Sequence, residues 1–217
     1  MQLLDDPCLI DLQRRISQLC SSDSDTEASN VAEGVSNCER FTRDVMGIDI
    51  NLRKEFDIPP TLPFERPLFV FDQGVSTRTT IDTSLRIQGI STWEKQGSGR
   101  CLDQSGSHPS SLVCIENELT PTTVTLGHPS VYRTDTSQYI DIRKYILAFA
   151  TLYFLRREHL DVHTWTVFPS NSLSDGRLLY ACWYENLNQV GISWAYPVVF
   201  NNKKYGARRM IPIKRRV

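Results

Sequence analysis

The chain has 217 residues, 40% hydrophobic and 23% charged, the composition of a soluble globular protein large enough for one sizeable core. Its longest apolar run, Tyr145 to Leu155, is eleven residues with only Thr151 polar, short of the ~18 that a membrane helix needs. The net charge of −1 hides a polar chain: residues 1–66 carry thirteen acids against seven bases, 67–200 twelve against ten, and 201–217 seven bases and no acid.

In chain order, residues 1–58 read as a helical N-terminal arm. Leu9, Leu12, Ile16 and Leu19 recur at spacings of three and four and stripe one face of a short helix. The polar stretch Ser21 to Glu27 reads as a break, with Ser24 and Glu27 as a capping box that opens a second helix. Val31, Val35, Cys38, Phe41 and Val45 continue at helical spacing up to Gly47, a natural stop. Both stripes are narrow, so each helix must dock on the body of the protein or on another chain. Leu9, Leu12, Ile16 and Leu19 are therefore the candidate partner-binding residues, and self-association is expected. Residues 59–67, with four prolines, read as a stiff connector containing a PxxP spacing.

From residue 68 to 200 the pattern is that of an antiparallel, strand-rich domain. Leu68 to Phe71 is a short apolar strand, and Gly74 marks a bend. Val75 to Gln88 alternates between an apolar or β-branched face and a polar one, which predicts a long half-exposed strand. A Gly/Ser-rich loop over 96–111 follows, then strands at Ser111 to Glu116 and Thr122 to Leu126. A helix is predicted over about 137–160, capped by Thr136 or Ser137, with its apolar centre buried against a sheet. Strands at Val162 to Phe168, Arg177 to Tyr184, Gly191 to Phe200 and Met210 to Ile213 complete a meander. The predicted fold class is α+β: about eight mostly antiparallel strands in a sandwich or partly open barrel, one buried central helix, and the N-terminal arm.

The strongest functional signal is the basic C-terminal tail, residues 201–217. Lys203, Lys204, Arg208 and Arg209 straddle Tyr205, and Lys214, Arg215 and Arg216 close the sequence. Bases interleaved with an aromatic pair with phosphates and stack on nucleobases, and seven such contacts would make binding fall steeply with salt. Anionic membrane lipid would attract the same charge. The tail is equally suited to lie on the acidic N-terminal segment of its own or a neighbouring subunit. Trp194 and Tyr196, two apart, would share a strand face as a stacking platform.

Other chemistry is thinly supported. His159 and His163 are four apart, but the helix is expected to end between them; Cys101, His108, Cys114 and His128 match no standard zinc spacing. No metal and no cofactor is therefore assigned. A thiol hydrolase would need Cys101 or Cys182 beside His108, His128 or His163, a combination that any chain with six cysteines and four histidines offers. No GxSxG, phosphate-cradling glycine loop or dinucleotide fingerprint is present, and no small-molecule substrate is evident. Residues 1–8 lack the plan of a secretory signal, and six scattered cysteines without a CxxC fit reduced thiols, so an intracellular setting is expected. The expected function is that of a non-catalytic structural or binding protein that self-associates and binds RNA or DNA phosphates through its tail. Virus coat and matrix proteins share that plan by analogy of architecture alone. A protein–protein adaptor or inhibitor whose tail meets an acidic partner is the alternative reading, and the hydrolase the third.

Overall fold

The structure, a computed structural model, describes residues 7–96, 102, 108–121, 136–200 and 204–217, with the side chains of 7–25 outside that description. The elements in chain order are α1 (Pro7–Asp44), α2 (Leu52–Glu55), β1 (Pro67–Asp72), α3 (Thr77–Ser84), β2 (Ser91–Glu94), β3 (Ser111–Glu116), α4 (Ile142–Arg156), β4 (Trp165–Ser172), β5 (Leu178–Tyr184), β6 (Gln189–Ala195), β7 (Tyr205–Gly206) and β8 (Met210–Ile213). The eight strands form a three-stranded sheet in the order β1-β3-β8 and a five-stranded sheet in the order β2-β6-β5-β4-β7. Pairing is antiparallel except for β2 with β6 and β4 with β7, and neither sheet closes into a barrel. The fold is α+β, mostly antiparallel, with one central helix and an N-terminal helix.

Helix α4 forms from a capped start and an apolar body. Asp141, not Thr136 or Ser137, is its N-cap: the carboxylate accepts the Lys144 N–H at 2.9 Å and pairs with the Lys144 ammonium. All residues from Ile142 to Leu152 are buried. A helix apolar on every side needs cover on every side, and α4 finds it between the two sheets. Leu68, Val70, Val113 and Ile115 of the three-stranded sheet and Phe168, Leu179, Ala181, Trp183, Val190 and Ile192 of the five-stranded sheet join it in one core. The helix thus separates the sheets instead of sitting at one end of them.

The second half of α1 covers the other face of the three-stranded sheet. Val31, Val35 and Cys38 pack with Phe69, Phe71, Leu112, Cys114 and Ile213, while Phe41 and Val45 reach the core around α4. Gly34 makes the close approach possible: a Cβ there would lie 2.8 Å from the Pro67 carbonyl and 3.0 Å from the Phe69 ring. The predicted break at Ser21 to Glu27 is absent, and one helix runs through it. Serine and aspartate lower helix propensity by less than ~1 kcal/mol each, which tertiary docking downstream overrides.

The predicted strand over Val75 to Gln88 is also overturned. Ser76 accepts the Thr79 N–H at 3.1 Å and starts α3, which is followed by a 3-10 turn at Arg86–Gln88. The buried positions are Thr77, Thr80, Ile81, Ser84 and Leu85, a helical spacing concealed within the alternation. Hydroxyls of Thr80, Thr83 and Ser84 bond the carbonyls four residues back, at 3.0, 2.9 and 2.6 Å, and so tie β-branched and polar residues into the helix. Other boundaries shift as well: β6 stops at Ala195, and Pro197–Phe200 is a 3-10 turn. The strand expected at Thr122 to Leu126 lies outside the described residues. Among the described residues no helix is long and apolar enough to cross a membrane.

Candidate nucleic-acid interface

The C-terminal segment does not hang free. Strand β8 is the third strand of its sheet, pairing Met210 with Ile115 and Ile213 with Leu112. Beyond it the backbone zips onto the segment after α2: the Asp57 N–H donates to the Lys214 carbonyl and the Arg216 N–H to the Glu55 carbonyl, each at 2.8 Å. Arg215 pairs with Glu55 at 2.9 Å and donates to the Ser110 hydroxyl at 3.0 Å; Arg216 donates to the Phe56 carbonyl and stands 4.0 Å from Asp57. Two of the bases assigned to phosphate are thus matched at home, on acids of the N-terminal region.

Arg208 is removed from the candidate set altogether. It is 4% exposed and its guanidinium meets the fully buried Asp161 at 2.8 Å. The remaining donors go to the Thr166 hydroxyl at 3.0 Å and to the carbonyls of Glu118 and Leu119 at 2.6 and 3.0 Å. Thr164 and Thr166 donate to the two oxygens of Asp161, which holds a left-handed backbone at φ 59. A buried pair this fully bonded is a structural rivet, placed on the crossover from β7 in one sheet to β8 in the other. Of the other assigned bases, Lys204, Arg209 and Lys214 are exposed, and Lys203 lies outside the described residues. Leu9, Leu12, Ile16 and Leu19 fall in the first half of α1, where side chains are not described.

The aromatic residues are arranged differently from the sequence expectation. Trp194 turns toward the α4 side of its sheet and packs on the main core. Its ring has the Lys95 ammonium 4.1 Å and the Arg177 guanidinium 3.5 Å from its centroid, and its Nε1 donates to the Gln96 carbonyl. Tyr196 lies past the end of β6, so the two rings do not make a platform.

The opposite face of the five-stranded sheet carries the row instead. The register sets Trp93 beside Gly191, Gly191 beside Cys182, and Trp165 beside Tyr205. The Thr166–Ala181 pairing brings Trp165 next to Cys182, which closes the line across all five strands. With strands about 4.8 Å apart, the row spans roughly 19 Å. Tyr184 belongs to it: its ring fills the space above Gly191, 2.1 Å from where a Cβ would stand, and meets Trp93 edge-on at 6.2 Å. At the far end Trp165 and Tyr205 stack at 4.8 Å with planes 23° apart, and the Lys204 ammonium lies 5.6 Å from the Trp165 ring. Phe200 folds back against Tyr205 and Tyr180 and covers one margin. Trp93 and Tyr184 stay open to solvent at 43% and 37%.

Thiol chemistry has no activated group among the described cysteines. Burial pushes Cys182, set against Tyr184 and Trp165 under the row, up to about 11, and Cys38 up to about 12. Both stay protonated at neutral pH. Cys101 and His128 lie outside the described residues. A polar cleft of about 180 Å³ opens at the start of α4, lined by Thr77, His108, Asp141, Arg143, Ser170 and Asn171. Its charges are balanced internally: Arg143 donates to Asp72 at 2.7 Å and to the Val75 carbonyl at 3.0 Å, and Asp141 holds Lys144. Set against known proteins, the chain matches no family model, no curated protein and no solved structure.

Proposed function

We propose that this is a non-catalytic nucleic-acid-binding protein whose contact surface is the aromatic row on the outer face of the five-stranded sheet. The observation that carries the reading is the line of Trp93, Tyr184, Trp165 and Tyr205 across that sheet, with Lys204 at its end. Large rings are drawn to cores, yet here Trp93 and Tyr184 are spent on a face open to water. Rings held flat or edge-on by a rigid sheet stack on nucleobases with little ordering cost, and a neighbouring ammonium meets the phosphate that links them. The role once expected of a loose basic tail passes to this face, with Lys204 and Tyr205 the tail residues that remain in it.

The test is an anisotropy titration of a labelled oligonucleotide with the intact protein and with the W93A/Y184A double variant. Removing both rings is expected to weaken binding by tenfold or more, on a stacking contribution of about 1–3 kcal/mol per base. Unchanged affinity in a variant that unfolds at the same denaturant concentration would remove the row from the interface.

A further inference from the structure

Resting on that reading, we infer that the ligand class is single-stranded nucleic acid, held by its unpaired bases and only weakly by its charge. Two observations lead there. The first is the state of the basic residues. Of the seven C-terminal bases that suggest a phosphate clamp, Arg208 is sealed in the interior with Asp161, Arg215 and Arg216 are turned to Glu55, Asp57 and a backbone carbonyl, and Lys204, Arg209 and Lys214 are exposed. A duplex binder of this size would need many cations on one face, because phosphate contacts carry most of duplex affinity. Among the described residues, Lys204 is the base that stands against the row, beside Trp165.

The second observation is the form of the row. It offers three ring stations on a sheet: the Trp165–Tyr205 stack, Tyr184 over Gly191, and Trp93. A duplex hides its base faces in its own stack and shows only edges and backbone, so ring faces on a sheet have nothing to hold. An unpaired strand can splay one base onto each station. Gly191 is the positioning residue for the middle one. Any side chain there would occupy the volume of the Tyr184 ring, since a Cβ would sit 2.1 Å from one ring carbon and 2.7 Å from the next. Stacking on rings takes no account of the sugar 2′ position, so single-stranded RNA and DNA are expected to bind alike.

The salt dependence separates this from a charge clamp. The slope of log K against log salt for single strands is about −0.7 per phosphate contact, so one or two contacts give a slope near −1 and seven would give about −5. The experiment uses the full chain and four probes of equal phosphate count: single-stranded RNA, single-stranded DNA, duplex DNA, and a strand in which every base is replaced by an abasic site. Each is titrated at two salt concentrations. The two single strands are expected to bind within a few-fold of each other with a slope near −1. The duplex and the abasic strand are expected to bind at least tenfold more weakly, and Gly191→Ala, which displaces the middle ring, to lose part of the difference between normal and abasic strands. If the abasic strand or the duplex binds as well as the single strands, with a steep slope, the protein still binds nucleic acid but by charge, and the inference is overturned. If no probe binds even at low salt, the functional reading itself fails and takes the inference with it.

Discussion

The two sheets meet the same helix and end up in opposite situations. The three-stranded sheet is covered twice, by α4 on one face and by α1 with the segment around α2 on the other; every residue of β1 is buried. Among the described residues the five-stranded sheet is covered once. Its inner face joins the α4 core, while on its outer face the described residues form a small patch around Val167, Leu178 and Phe200. In a doubly covered strand each side chain answers to packing, so apolar residues run without alternation. On a singly covered strand the outward positions are released from that demand. What the chain places there is free to serve something else, and it places Trp93 and Tyr184.

The largest effect should come from the residue that joins the two sheets. Arg208→Leu leaves the Asp161 carboxylate buried with its strongest partner gone, and is expected to cost about 3–5 kcal/mol in chemical denaturation. A loss below about 1 kcal/mol would mean that the crossover holds the sheets together without its ion pair. Next comes a matched pair of aromatic truncations. Phe69→Ala in β1, whose ring is fully buried, is expected to cost about 3 kcal/mol. Trp93→Ala in β2 should cost less than about 1 kcal/mol, since only its edge contact with Tyr184 and partial burial are lost. Equal costs would erase the distinction between a sheet built for stability and one that leaves a face available.

The smallest effect concerns pH and the covered face of the larger sheet. His159 stacks on Trp183 at 4.2 Å, and burial lowers its pKa below the ordinary 6.5. As pH falls through 6.5 the unfolded chain takes up the proton first. The contribution is therefore fully present above that value and is lost between 6.5 and the lower folded pKa. Stability should decline over that window in the natural chain and less so in His159→Phe. A decline of the same size in both would place the titrating group elsewhere.

Much of the fold was legible in the sequence, and the reasons for the exceptions are local. The apolar run from Tyr145 to Leu155 announced a helix buried on all sides, and the strands at Leu68 to Phe71, Ser111 to Glu116 and Met210 to Ile213 had their composition to mark them. Val75 to Gln88 misled because Thr77, Ile81 and Leu85, four apart, fit one face of an alternating strand and one face of a helix at once; hydroxyl-to-backbone bonds of Thr80 and Thr83 favour the helix and leave no trace in hydropathy. Strands β2 and β7 were not anticipated, and the strand expected at Val75 to Gln88 gives way to α3, while the one expected at Thr122 to Leu126 lies outside the described residues. The aromatic row was partly readable: Tyr180, Cys182 and Tyr184 alternate along one strand and so share a face. Trp93 could not be added to them, because its strand is four residues long and pairs in parallel with β6, nearly a hundred positions away. Charge was the least transferable signal. Arg208 looks like its basic neighbours in sequence, and only the fold brings Asp161 to it.

The zipper between residues 214–216 and 55–57 has a consequence for the order of events during folding. Strand β8 supplies Ile213 to the same cluster that receives Val31, Val35 and Cys38, so the docking ground of α1 is complete only when a stretch of chain far away in sequence has arrived. Contacts of such sequence separation form late, because loop closure must precede the burial that rewards it. Helix α1 is thus among the last elements to be locked.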